Sequence, residues 1–538
     1  MAGKNILLVW PKTDKGFYNF SPLNEIFGQK GQFYPLSLIT VAGAMGPDWN
    51  YTIIDEEVED VRDTHEQWAD FIFISSNILQ RKSAERLVGY FKSFNKPIVI
   101  GGPLLPTLDH VFENDNVSKV IGEIESLCDN SEKTIARQLA DDMRKGILRK
   151  IYRASGHPDL REISPPRYDL LSGGSYFNVS LQTSRGCHNN CEFCQMVALY
   201  GRHRRKSIDQ VLHELNLLHA SGEGKTVYIV DDNFMGNINQ EKNRAEFIAL
   251  LEAIRDWQKE RDFPFDFFSQ CSLEIADHDD IVELMAAIGV NIMFLGIETL
   301  NTKALASVRK NQNLEKDQVA KVRKLQRYGM GIIAGLILGF DEDDEEAVDG
   351  QIRFIRESNI PLSGMSVLQA PLGTRLYKRL FEAGRISRDK DAITKSFRTN
   401  VILRQHPKTF YSGYLKFIKT VYAPVEYFNR CFRWIDGWND AYVLSGKKGS
   451  IPANLYFIRI VRSIVIQGLF SGYRFQYWTY MLRAIWKYHG NINRLALAFY
   501  LAYFYRVVHD ISQKVELFTR TLPDEIIREW EAYFGQQR

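Results

Sequence analysis

The sequence predicts an α/β chain in three parts: an open, doubly wound parallel sheet, a partial (β/α)6 barrel, and a mainly helical C-terminal region. Three observations carry that expectation. Short apolar runs alternate with helix-length amphipathic stretches from residue 1 to about 150 and again from about 176 to 390. A Pro-rich polar stretch, 151–175, separates the two series as a linker would. After about 391 the strand signals fade, and aromatics rise to roughly a fifth of residues against 12% for the whole chain.

In the first series the strands are expected at Ile6–Val9, Tyr51–Ile54, Phe71–Ser75, Pro97–Ile100 and Val117–Ile121, with helices at Leu36–Met45, Ser83–Phe94 and Glu132–Lys145. Strands separated by helices pair in parallel, and ligands of such sheets sit at the strands' carboxyl ends. Ser75-Ser76, Gly101-Gly102 and Gly122-Glu123 fall at those ends and are candidate ligand contacts. The plainer alternative for the glycines is a tight βα turn. In the second series the strands lie near Val179–Thr183, Thr226–Val230, Asp266–Cys271, Ile292–Ile297, Gly331–Leu338 and Gly364–Leu368. Six βα units in series suit a partial barrel with its functional residues at the strand ends. In the third region, Leu495–Tyr505 reads as a helix apolar on nearly all sides, either buried or lying on a membrane surface.

Composition excludes several classes. The chain has 538 residues, 45% hydrophobic and 25% charged, with a net charge of only +3. The overall balance supplies no field for nucleic acid. Six cysteines are too few for a disulfide framework, and the apolar start is too short for a signal peptide. The apolar run at 495–505 falls short of the ~20 residues that span a bilayer. The expectation is a soluble, metal-bearing cytoplasmic protein.

The strongest signal is Cys187-His188-Asn189-Asn190-Cys191-Glu192-Phe193-Cys194, a Cys-x3-Cys-x2-Cys loop just past the first strand of the second series. Three thiolates can each bind one iron of a cubane and leave the fourth iron open for chemistry. The rival is structural zinc with His188 as fourth ligand, but a histidine adjacent to Cys187 would strain the loop to reach the same ion. Arg202-His203-Arg204-Arg205-Lys206, further on, could meet phosphate or an acidic substrate, but reads more simply as a solvated helix-start face.

The loop, with aromatic Phe193 before the third cysteine and a barrel-like continuation, resembles the radical S-adenosylmethionine superfamily. The resemblance implies a [4Fe-4S] cluster on Cys187, Cys191 and Cys194, with S-adenosylmethionine on the open iron. It also implies S-adenosylmethionine contacts from Phe193, from Asp231-Asp232-Asn233, from Glu298 and from Gln369, with Gly335–Phe340 packed against adenine. An α/β domain in front of such a barrel resembles the Rossmann-like cobalamin-binding domain of the B12-dependent group. That likeness implies cobalamin contacts from Ser75, Ser76, Gly101, Gly102, Gly122 and Glu123. No histidine occurs in Trp10–Gly16, so the implied cobalamin has no histidine below the cobalt. Phe33–Leu38, Ile100–Pro103, Asp231–Asn237 and Leu368–Thr374 are similar to hopanoid C-2 methylases and bacteriochlorophyllide C-8/C-12 side-chain methyltransferases. The chain departs from them at His188 and Gln195.

The activity so implied is C-methylation of an unactivated carbon on a large hydrophobic substrate, a hopanoid or a tetrapyrrole side chain. A 5′-deoxyadenosyl radical would take hydrogen and methylcobalamin would supply methyl. Two alternatives stay open: a tetrapyrrole oxidative cyclase, and a non-enzymatic cobalamin or redox sensor. Implied partners are an electron donor such as flavodoxin or ferredoxin, no nucleic acid, and a peripheral membrane contact.

Overall fold

The structure, a computed structural model, describes residues 3–13, 21–108, 110–113, 116–170, 176–222, 226–314, 317–395, 397–439 and 453–535. Asp14–Gly16 and the expected linker residues 171–175 lie outside these.

Two parallel sheets organise the molecule. The first contains β1 (Asn5–Trp10), β3 (Asn50–Asp55), β4 (Phe71–Ser75), β5 (Ile98–Gly101), β6 (Ser118–Ile121) and β7 (Ile151–Arg153), in the order β3-β1-β4-β5-β6-β7. Alternate residues feed opposite faces. Leu7, Val9, Ile72, Ile74, Ile98 and Ile100 enter one core, whereas Ile6, Leu8, Phe71, Phe73, Val99 and Val120 enter the other. Both faces are therefore covered, which is why these strands read as continuous apolar runs rather than alternating ones. The helices Leu36–Met45, Arg81–Ser93 and Ile135–Lys145 supply the covers.

The second sheet is the curled parallel sheet of a partial barrel. It runs β2 (Gly31–Phe33), β8 (Tyr176–Leu181), β11 (Thr226–Ile229), β12 (Asp266–Cys271), β13 (Val290–Glu298), β14 (Gly331–Leu338) and β15 (Leu362–Val367). A two-stranded ribbon, β9 (Ser184–Arg185) with β10 (Arg204–Arg205), caps the end of β8.

The structure differs from the sequence reading at two places. Residues 151–153, expected to begin the linker, form the edge strand β7 beside β6. Residues 31–33, inside the expected first domain, pair with β8 as the outer strand of the second sheet. The helical region also shares one continuous core with the barrel rather than having its own: Phe410, Tyr414 and Phe417 join Met365 and Leu338 in it.

Leu495–Tyr505 is part of the helix Ile492–Arg520. Ala498, Leu501, Ala502 and Tyr505 are buried, and neighbouring tyrosines bond to its backbone: Tyr427 donates to the Leu501 carbonyl (2.8 Å) and Tyr480 to that of Ala498 (3.1 Å). Of the two readings of that segment, it is core. No helix among the described residues is long and apolar enough to cross a membrane.

Candidate active site

The cysteine loop hangs from the carboxyl end of β8 and is tied at both ends. At its start, Asp231, at the end of β11, accepts hydrogen bonds from the Thr183 amide (2.7 Å), the Thr183 hydroxyl and the Ser184 hydroxyl (2.6 Å). Asp232 accepts from the Gly186 amide at 2.7 Å. Gly186 has φ +78°, and a Cβ there would lie 2.6 Å from the carbonyl oxygens of Gly201 and Arg202, so only glycine makes this bend. At the far end the Glu192 carboxylate takes the fork of Arg379 at 2.8 and 2.9 Å, while the Glu192 amide donates to the Val308 carbonyl. Gln195 donates to the Thr107 hydroxyl (2.9 Å) and to the Leu372 carbonyl (3.3 Å), joining the first sheet's loops to the segment after β15.

The three thiols are partly exposed, and Cys187 and Cys194 lie close enough to Cys191 to sense its charge. Burial, with Cys191 and Cys187 nearby, pushes the Cys194 thiol up to about 12, and burial raises Cys187 as well. Both are therefore thiols until a cation displaces their protons. Asn233 Nδ2 points at the Cys187 sulfur (3.8 Å) and Gln312 Nε2 at that of Cys191 (3.5 Å), the donors that tune a sulfur-ligated metal. Among the described residues, no three His, Cys, Asp or Glu side chains converge on one ion. His188 faces Glu274 at 3.6 Å, and the other three cysteines are buried elsewhere. The donor set fits the cubane.

The remaining expected residues divide. Asn233 lies by the Cys187 thiol, and Glu298 is linked to the thiols through Lys310. The Asn233 amide also donates to Ser272 (3.1 Å), and its Oδ1 is buried with no hydrogen-bond partner, an acceptor left for something else. Glu298, at φ +65° on the β13 bulge, pairs with buried Lys310 at 3.1 Å. Burial disfavours the Lys310 charge, but Glu298 and then Cys191 hold its pKa above the ordinary value. Phe193 packs against Phe340 with ring centres 6.1 Å apart.

Asp231 is not an open acceptor for an ammonium group: it is fully buried, and both oxygens hold the start of the loop. Asp232 is pushed up to about 6, by burial first, and keeps one oxygen outside its bond to Gly186. Gln369 bonds the Arg398 carbonyl at 3.3 Å. Lys310, Gln312 and Ser272, which no motif singled out, complete the setting.

In the first sheet, Ser75 bonds Ser37 (3.0 Å), and the Ser76 hydroxyl is buried without a partner. Gly102, at φ +94°, would place a Cβ 2.4 Å from the Ser76 carbonyl, and one at Gly122 would meet Ala154; a Cβ at Gly101 would only touch Val120 at 3.6 Å. Gly102 and Gly122 are thus needed by loop packing, the βα-turn alternative. Glu123 does not present a free carboxylate: it accepts from Arg185 (2.6 Å), Arg204 (2.7 Å) and His157 (2.8 Å). Arg204 belongs to the run expected to be solvated. Arg202 is exposed, but from Arg204 on the run is inward: Arg205 bonds the Phe234 carbonyl, and Lys206 pairs with Glu214, the Lys206 and Glu214 side chains each 2% exposed.

Residues 181–353 match the family model of the radical SAM superfamily, and 374–517 match a domain of unknown function, DUF4070. An uncharacterized methyltransferase of Synechocystis sp. is 32% identical over 429 residues, 79% of this chain and 78% of the relative. The chain belongs to the radical S-adenosylmethionine superfamily. Within the superfamily it is similar along 93% of both chains to the hopanoid C-2 methylase of Rhodopseudomonas palustris, at 28% identity. It is similar at 26% to the bacteriochlorophyllide d C-12(1)-methyltransferase of Chlorobaculum tepidum, over 64% of this chain and 73% of that one. Among solved structures, the radical enzyme OxsB, with aqua-cobalamin bound, superposes with a TM-score of 0.59 at 14% identity, covering 99% of this chain and 84% of OxsB. That likeness is one of fold, and it extends over the front sheet, the barrel and the helical region together.

Proposed function

We propose that this chain is a cobalamin-dependent radical S-adenosylmethionine C-methyltransferase acting on an unactivated carbon of a large polycyclic hydrophobic substrate, of hopanoid or tetrapyrrole type. The observation that carries it is the three-thiol loop at the end of β8, in a chain similar to a hopanoid C-2 methylase over nearly its whole length. When bound, the cluster and S-adenosylmethionine supply a hydrogen-abstracting radical, and cobalamin supplies the methyl group.

The chain's own residues bind and orient. Cys187, Cys191 and Cys194 hold the cluster, and Asn233 and Gln312 direct N–H groups at its sulfur ligands. The free acceptors of Asn233 and Asp232 suit an ammonium group. Phe193 and Phe340 offer an aromatic wall for a nucleobase. At the carboxyl ends of β4 and β5, the unpartnered Ser76 hydroxyl and Gly101 suit a ligand of the front sheet. Six free cysteines fit a reducing cytoplasm and a low-potential donor of the flavodoxin or ferredoxin class.

The test is anaerobic reconstitution with iron, sulfide, cobalamin, S-adenosylmethionine and reductant, followed by incubation with hopanoid and tetrapyrrole extracts. The expected result is 5′-deoxyadenosine together with a product heavier by one CH2, and neither from Cys191→Ala. A dehydrogenated or ring-closed product would point to the cyclase. An intact cluster that forms no 5′-deoxyadenosine would overturn the enzymatic reading in favour of the sensor.

A further inference from the structure

The helices from 453 to 492 are built for a surround that is not water. In the helix Arg474–Tyr488, the residues Tyr477, Tyr480, Met481, Ala484 and Tyr488 face the core. The opposite side, at i, i+4, i+7 and i+11, is Phe475, Thr479, Leu482 and Trp486. A helix at a water boundary carries polar residues there. Here Phe475 is 71% and Trp486 79% exposed.

The preceding helix, Ala453–Ser463, with its π-helical extension Ile464–Leu469, is inverted outright. Its inward residues are polar. Ser463 shares a hydrogen bond with Tyr477 (2.9 Å), and Gln467 donates to Ser463 (3.0 Å) while accepting from Tyr473 (3.0 Å). Its outward residues are hydrocarbon: Ile458, Val461, Val465 and Leu469, followed by Phe470 at 82% exposure. Exposed apolar surface this continuous marks an interaction face.

Charge identifies the occupant. No Asp or Glu occurs from residue 441 to 509, a stretch that holds nine Lys and Arg. Arg462, Arg474 and Arg483 flank the apolar side, and none of the three has a carboxylate partner among the described residues; Lys487, further round, is tied to Asp436 (2.6 Å). An isologous contact with a second copy would set these cations against themselves. Aromatic and aliphatic side chains beside arginines, with no acid, suit the boundary of an anionic bilayer.

We infer that this face seats the protein on an anionic lipid surface, in the plane of the headgroups. The inference uses none of the residues around the cysteine loop, so it stands or falls apart from the proposed reaction.

The experiment is flotation of the full-length reconstituted protein with vesicles of phosphatidylcholine alone or with about a third phosphatidylglycerol. Low-salt flotation with the anionic vesicles, weakening as salt rises, is expected. The Phe470→Ser/Phe475→Ser/Trp486→Ser variant should keep its circular dichroism and cluster absorbance, and lose at least about tenfold in bound fraction. Should that variant fold poorly, Arg462→Glu/Arg474→Glu/Arg483→Glu gives the same reading through loss of anionic binding. Absence of low-salt flotation, or flotation indifferent to both variants, would overturn the inference. So would a dimer in light scattering that the serine variant abolishes while vesicles capture nothing.

Discussion

Lys310 lies within electrostatic reach of all three thiols, and Glu298 holds its charge in place. The pair explains the glycine two residues earlier, because a Cβ on Gly296 would stand 2.5 Å from Glu298 Oε1 and 3.0 Å from Lys310 Nζ. Gly296→Ala should therefore cost about 1–3 kcal/mol in urea unfolding and loosen the cluster, read as faster loss of its absorbance to a chelator. Lys310→Met removes a cation next to the cluster and should move its midpoint potential to more negative values in a redox titration, with Lys310→Arg restoring most of it. Of this site the sequence displayed the cysteines, whose spacing is itself the chemistry. It did not display Lys310 or Gln312, which lie on a loop with no strand end or glycine signal to mark them. It did not display that Asp231 is used up by Thr183 and Ser184 or that Arg204 turns inward to Glu123, because these partners are remote in the chain.

Among elements, the strands were legible wherever both faces are buried, since four to eight apolar residues in a row leave little else to build. The strands β2 and β7 were not: each has three residues, lies at a sheet edge, and carries too little side chain for a pattern. Two strand ends carry predictions. Gly102→Ala would force an L-residue at φ +94° against the Ser76 carbonyl and should lower the thermal midpoint by several degrees, about 1–3 kcal/mol. At the end of β3, burial, with Glu57 and Glu56 nearby, raises Asp55 to about 7, although the Glu57 amide and Tyr176 bond to it. Its folded pKa exceeds its unfolded one, so the native state binds the extra proton. Its contribution is full below about pH 4 and lost as pH rises through 7, a difference on the order of 4 kcal/mol. Asp55→Asn should flatten stability over that window, measured by urea midpoints at pH 5 and 8.

At the scale of the molecule, the two sheets are locked by Glu123 and Glu125 on one side and Arg185 and Arg204 on the other, with Arg185 only two residues before Cys187. Glu123→Ala leaves buried Arg185 with Glu125 and the neutral Gln182 and should cost about 3–5 kcal/mol, with reduced cluster loading in iron analysis. The first sheet runs past the boundary expected near residue 150 through its edge strand Ile151–Arg153, and the sequence did not display the crossing by which Gly31–Phe33 serves the second sheet. That crossing has a consequence for synthesis. The first sheet can close once Arg153 has left the ribosome, yet the partner of its stray strand, Tyr176–Leu181, is still to come, roughly one to six seconds later at ~5–20 residues per second. During that interval the nascent chain holds out a naked hydrogen-bonding edge, and it is the barrel's arrival, not the front unit's own completion, that ends its vulnerability to mispairing.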